Sequence, residues 1–205
     1  PPRSTLFPYT TLFRSARAVG AITAFATTPD VDFVEGEAAP AYDGRVKRFT
    51  RRSLFLKPEV IVIHDLLETP EPATFEWLLH APEPMQIAGQ NDIRVVSGGA
   101  ACQAALLWPD GLQLTHTDQF ETPPRPRIKL TEYHLTAQTP GPAAAQEFVT
   151  VLRPHRVADS LTGSPELQAI AGGFALSVPL REGRAARLLL DGKSVGEGKR
   201  VEWGG

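Results

Sequence analysis

Phe174-Ala175-Leu176-Ser177-Val178-Pro179-Leu180 alternates large apolar with smaller residues at every step. In an extended chain neighbouring side chains leave opposite faces, so Phe174, Leu176, Val178 and Leu180 line one face of a strand. A helix would scatter the same four around its circumference. Working outward, the period of two recurs. Tyr133, Leu135 and Ala137 oppose Glu132, His134 and Thr136, while Phe75, Trp77 and Leu79 oppose Thr74, Glu76 and His80. Ala143-Ala144-Ala145 could start a helical turn, but Phe148-Val149-Thr150-Val151-Leu152 behind it is β-branched and strand-like. No window of a dozen residues keeps the i, i+3, i+4, i+7 stripe of an amphipathic helix.

The 17 glycines and 19 prolines punctuate these short runs. Lys57-Pro58-Glu59 separates a strand near 45–56 from one near 60–67, and Trp108-Pro109-Asp110-Gly111 separates 101–107 from 112–118. Asp191-Gly192 divides Leu188-Leu189-Leu190 from a last strand ending near Trp203, a strong hairpin signal. About a dozen strands spaced in this way specify an all-β chain, a large antiparallel β-sandwich. The proline-rich loop Glu121-Thr122-Pro123-Pro124-Arg125-Pro126-Arg127 is too short to demand a boundary, so residues 16–205 read as one domain. The first fifteen residues, Pro1-Pro2-Arg3-Ser4-Thr5-Leu6-Phe7-Pro8-Tyr9-Thr10-Thr11-Leu12-Phe13-Arg14-Ser15, resemble a translated sequencing adapter of the kind that ends metagenomic reading frames. The expectation is a non-native segment, 1–15, with the natural protein extending upstream of residue 16.

Charge is nearly balanced, 21 basic against 23 acidic side chains. Nothing here supplies the clustered basic face that nucleic acid requires, although local patches can still attract a polyanionic sugar. The one cysteine, Cys102, excludes an intrachain disulfide and a Cys-based zinc site, and its apolar surroundings read as a buried, unreactive thiol. No run approaches the roughly 18 apolar residues of a membrane-spanning helix.

Five histidines are present, and His64, Asp65 and His80 form the nearest metal-like set. Strand geometry argues against it. His64 and Asp65 are adjacent and leave opposite faces, and a hairpin of 60–67 with 73–81 places His80 about five residues, roughly 16 Å, from Asp65. Tyr133-His134 is an adjacent base-and-acid pair, split by the same alternation: Tyr133 reads as core with its hydroxyl at a sheet margin, His134 as solvated. On that facing, Trp77→Ala costs about 3–5 kcal/mol as a core truncation, and His134→Ala less than about 0.5 kcal/mol. The densest basic run is Arg45, Lys47, Arg48, Arg51 and Arg52, readable as a rim for acidic sugar or, more plainly, as a solvated strand or arginines paired to inter-sheet carboxylates. Trp77 reads as core, and Trp108, at a turn, as the better candidate for stacking on a sugar ring. There is no Gly-rich phosphate loop and no G-x-S-x-G elbow.

The stretch Arg48-Phe49-Thr50-Arg51-Arg52-Ser53-Leu54-Phe55-Leu56-Lys57-Pro58-Glu59-Val60-Ile61-Val62-Ile63-His64-Asp65-Leu66-Leu67, followed by Phe75-Glu76-Trp77-Leu78-Leu79-His80, resembles the sandwich region of heparinase II/III-like polysaccharide lyases. Ile22-Thr23-Ala24-Phe25, Val31-Asp32-Phe33-Val34-Glu35-Gly36-Glu37-Ala38 and Phe148-Val149-Thr150-Val151-Leu152-Arg153-Pro154 extend the resemblance, which covers roughly residues 16–155. It implies the C-terminal fragment of a toroid-plus-sandwich lyase that cleaves uronate-containing polysaccharide, such as alginate or a glycosaminoglycan, by β-elimination in the periplasm or outside the cell. It also implies that the catalytic tyrosines and histidines lie on an upstream α/α toroid. A His-rich segment that holds a metal or completes the active site stands at the start of the family's sandwich, and this sequence lacks it. No catalytic, cofactor-binding or metal-binding residue therefore carries over to a numbered position, and no cofactor is expected in this fragment. The rival reading is a free-standing carbohydrate-binding or structural sandwich module.

Overall fold

The computed structural model describes residues 19–119 and 132–191. Fourteen strands run in order: β1 (Ala21–Thr27), β2 (Val31–Glu37), β3 (Arg48–Leu56), β4 (Val60–Ala73), β5 (Glu76–Ala81), β6 (Gln86–Ala88), β7 (Asp92–Ser97), β8 (Ala100–Trp108), β9 (Gln113–Thr117), β10 (Tyr133–Gln138), β11 (Ala143–Arg156), β12 (Glu166–Ile170), β13 (Gly173–Pro179) and β14 (Ala185–Asp191). Two single 3₁₀ turns, Ala39–Tyr42 and Arg181–Gly183, are the sole helical pieces among the described residues. Every strand pairing is antiparallel. The all-β sandwich expected from the two-residue period is the fold observed. The segment 1–15, the loop 121–127 and the strand ending near Trp203 lie outside the described residues.

Eight strands form the central sheet, in the order β1-β2-β3-β4-β11-β8-β7-β6, and two three-stranded sheets, β5-β10-β9 and β12-β13-β14, flank it. The alternation that builds each strand also divides the core. On β4, Val60 and Val62 join Leu54, Leu56, Val149 and Val151 against Phe174, Leu176, Val178, Ala186, Leu188 and Leu190 of the β12-β13-β14 sheet. Leu67, from the opposite face of β4, joins Phe148, Ala104, Leu106 and Ile93 against Phe75, Trp77, Leu135 and Ala137 of the β5-β10-β9 sheet. The central sheet is thus buried on both faces, which is why β4 and β11 read as near-continuous apolar runs. Trp77 is in the core, as its alternation requires.

The strand pairings refine the local expectations and overturn one of them. Ala143-Ala144-Ala145 opens strand β11, because pairing with β4 outweighs alanine's weak helix preference. The expected hairpin of 60–67 with 73–81 does not form: β4 pairs with β3 and β11, while β5 crosses to the other layer and pairs with β10. Trp108-Pro109-Asp110-Gly111 does separate two strands, β8 and β9, and passes the chain between sheets, since β8 pairs with β7 and β11 and β9 pairs with β10. By contrast Lys57-Pro58-Glu59 does close the β3–β4 hairpin, Leu56 facing Val60.

Candidate functional site

Strand β3 places its arginines one after another against carboxylates. Arg51 is directly opposite Asp65 on β4, and its Nε and Nη2 donate to Oδ1 and Oδ2 at 2.6 and 2.8 Å. That fork raises the guanidinium's proton affinity further. Arg52, on the other face, is buried and donates from Nε to Glu35 Oε2 at 2.7 Å across the β2–β3 pairing, and from Nη1 to Asp191 at the end of β14. Arg48 donates to the Thr50 hydroxyl and lies 3.6 Å from Glu68. Arg45 and Lys47 are exposed in the loop before β3. The basic run therefore divides into three arginines set against carboxylates, Arg48, Arg51 and Arg52, and two exposed cations, Arg45 and Lys47.

His64 and Asp65 separate as alternation demands. Asp65 serves Arg51, and His64 is fully buried against the edge of Phe174, with Nε2 2.7 Å from Glu147 on β11. Its Nδ1 is buried without a hydrogen-bond partner among the described residues. Glu147 also lines a groove of about 360 Å³ with Arg48, Glu68, Gln146 and Trp108. Trp108 is half-buried, its ring 5.2 Å from that of Phe174. An indole edge beside one guanidinium, one amide and two carboxylates is suited to a hydroxyl-rich ligand. The two carboxylates oppose a polyanion at this groove.

A second cluster was missed by the sequence reading. In the β5-β10-β9 sheet His80 is the direct partner of His134, and their rings stack at 4.6 Å with planes 7° apart. Glu132 precedes His134 by two positions and reaches the same face, its Oε1 3.2 Å from His80 Nδ1 and its Oε2 3.9 Å from His134 Nε2. The side chain of His134 is only 13% exposed, which corrects the expectation that it is solvated: His80 and Glu132 cover it. Burial and the neighbouring His80 hold the proton affinity of His134 below the ordinary imidazole value, with Glu132 opposing. The signal in the sequence was Glu-x-His in an alternating strand; what was lacking was its partner, because β5 had been paired with β4.

The other candidates are quieter. Tyr133 is half-buried at the start of β10 and packs over His116, which accepts from the Met85 amide through Nε2. His155 lies on β11, its Nδ1 2.9 Å from the Arg153 carbonyl. Cys102 is half-buried on β8, and burial pushes its thiol up, away from the reactive thiolate.

No family model and no curated protein sequence matches this chain. Solved structures do. Heparan sulfate lyase HepC from Pedobacter heparinus superposes with a TM-score of 0.65 at 14% identity, over 87% of this chain and 29% of that one. A heparinase III gene product gives 0.65 at 12% identity over 84% and 27%. A further heparinase III gives 0.60 at 12% identity over 85% and 27%. The chain thus spans less than a third of the length of these lyases. At such identities the likeness establishes architecture: the fold is the β-sandwich that heparinase III and heparan sulfate lyase also contain.

Proposed function

We propose that this chain is the sandwich portion of a heparinase II/III-like polysaccharide lyase that cleaves an acidic, uronate-containing saccharide by β-elimination, and that alone it does not catalyse the reaction. The observation that carries this reading is the match of nearly the whole chain to under a third of HepC. β-Elimination needs a group to neutralise the uronate carboxylate, a base for the adjacent proton and an acid for the leaving oxygen. Of the basic run, Arg51, Arg52 and Arg48 are engaged by Asp65, Glu35 and Glu68, and Tyr133 and His134 leave opposite faces of β10. In the intact lyase the sandwich would support a cleft whose catalytic groups come from the helical part.

The test has two arms. Incubated with heparan sulfate, heparin or alginate, this chain is expected to release no ultraviolet-absorbing unsaturated product; turnover would place the chemistry here. Joined to the sequence encoded upstream, it is expected to gain that activity, and an upstream region coding for an unrelated domain would overturn the reading.

A further inference from the structure

We propose that His80, Glu132 and His134 form a binding site for one divalent transition-metal ion of the zinc class on the outer face of the β5-β10-β9 sheet. The inference rests on local strand register and is independent of the lyase reading. It also departs from the expectation of a metal-free chain, which weighed only His64, Asp65 and His80.

Two rules of sheet geometry bring the three groups together. Residues two apart on a strand share a face, so Glu132 and His134 project together. Directly paired residues on neighbouring strands have Cβ atoms about 4.5–5.5 Å apart, which puts His80 beside His134. One ligand atom from each residue lies within 4.8 Å of the other two. In a tetrahedral site with metal–ligand bonds of about 2.0–2.1 Å, ligand atoms sit roughly 3.3 Å from one another. Glu132 Oε1 lies 3.2 Å from His80 Nδ1, which meets that spacing, while its other oxygen, Oε2, lies 3.9 Å from His134 Nε2, so the carboxylate faces both rings and must turn to share one ion with them. The rings now stack in parallel, so their in-plane lone pairs run side by side; modest ring rotation toward Glu132 converges them.

The donor set chooses the ion. Two imidazoles and a carboxylate are the borderline donors that zinc accepts, with a fourth position left for water or a ligand, whereas calcium and magnesium prefer all-oxygen shells. Imidazole must be unprotonated to ligate, so zinc affinity is expected to fall as the solution is acidified. The three side chains are between 13% and 38% exposed, which shelters the site, and His134 Nε2 itself is buried, so an ion enters only as the His134 ring turns. Bound there, the ion would clip β5 to the first turn of chain into β10.

Zinc titration of the tag-free full chain by calorimetry is expected to show one equivalent bound, and cobalt is expected to give the visible absorption of a four- or five-coordinate site. His80→Ala and His134→Ala should each weaken zinc binding more than roughly 100-fold, beyond the 10–100-fold that loss of an outer partner costs. Glu132→Gln should weaken it as well, and His155→Ala on β11 should leave it unchanged. Should an alanine variant fail to fold, ring-nitrogen NMR of the unmodified chain decides: of the five histidines, only His80 and His134 are expected to shift on adding zinc. Absence of stoichiometric binding, shifts confined to other histidines, or affinity indifferent to His80 and His134 would overturn the site.

Discussion

At the scale of single residues, charge in this protein is matched where it is buried. Glu35 and Arg52 face each other across β2 and β3, and both are almost inaccessible to water. Removing one member of such a pair strands the other in a low dielectric, a loss of about 3–5 kcal/mol. Glu35→Ala should therefore lower stability by that amount in urea unfolding, whereas Glu35→Ala with Arg52→Met should recover much of it. Glu37 shows the companion case. Burial alone would raise its pKa, but its carboxylate accepts from the amides of Ala39 and Phe49 and from the Thr50 hydroxyl, and the balance sets it below the ordinary glutamate value. Between that lowered value and about 4.5 the unfolded chain holds the proton more often than the folded one. The stabilisation is therefore complete above about pH 4.5 and lost as pH falls through the folded pKa. Glu37→Gln is expected to cost about 2 kcal/mol at neutral pH, and the gap to the parent should close in acid. A gap that persists undiminished at low pH would show that the carboxylate's charge is not what the amides use.

Elements are held by pairing and by close approach. Strands β4 and β11 pair with each other at the centre of the large sheet, and a third strand flanks each of them. In the β12-β13-β14 sheet the constraint is tighter still. Gly173 begins β13 opposite Asp191, and a Cβ there would collide with the backbone carbonyl of Leu190. Gly173→Ala should therefore destabilise the chain by about 1–3 kcal/mol in thermal or urea unfolding, the range for forced overpacking, with the strand content of the folded state unchanged. Alternation within a strand was legible from residues alone: Leu135 and Ala137 are buried, and Trp77 with them. Beyond the β3–β4 hairpin, which strand lay beside which was not. His134 acquired its cover from β5, a neighbour that local sequence did not name, so His134→Ala is now expected to cost on the order of 1 kcal/mol, as an aromatic pair does, rather than the smaller loss of a solvated side chain.

For the whole molecule, the central sheet buries both faces over its middle strands and ends, among the described strands, on β1. Strand β1 pairs only with β2 among the described strands, and it exposes Ile22 at 74% and Phe25 at 66%. An edge with bare backbone groups and apolar side chains is a template for a second chain. Concentration-dependent association is expected by light scattering, and Phe25→Lys should suppress it while changing stability by less than about 0.5 kcal/mol. Association insensitive to that charge would move the contact elsewhere. No helix among the described residues is long and apolar enough to cross a membrane.

Residue order by itself determined the class of this protein, because a period of two is a property of neighbouring positions and needs no partner. It also marked the β3–β4 turn and the core tryptophan. Only the tertiary structure decided which polar groups meet. Arg51 finds Asp65, Arg52 finds Glu35, and His80 finds His134 through pairings between strands 14, 17 and 54 positions apart, which strand periodicity cannot rank. Faces are local and register is not, so the sheet could be read from the chain while the histidine cluster had to be seen in three dimensions.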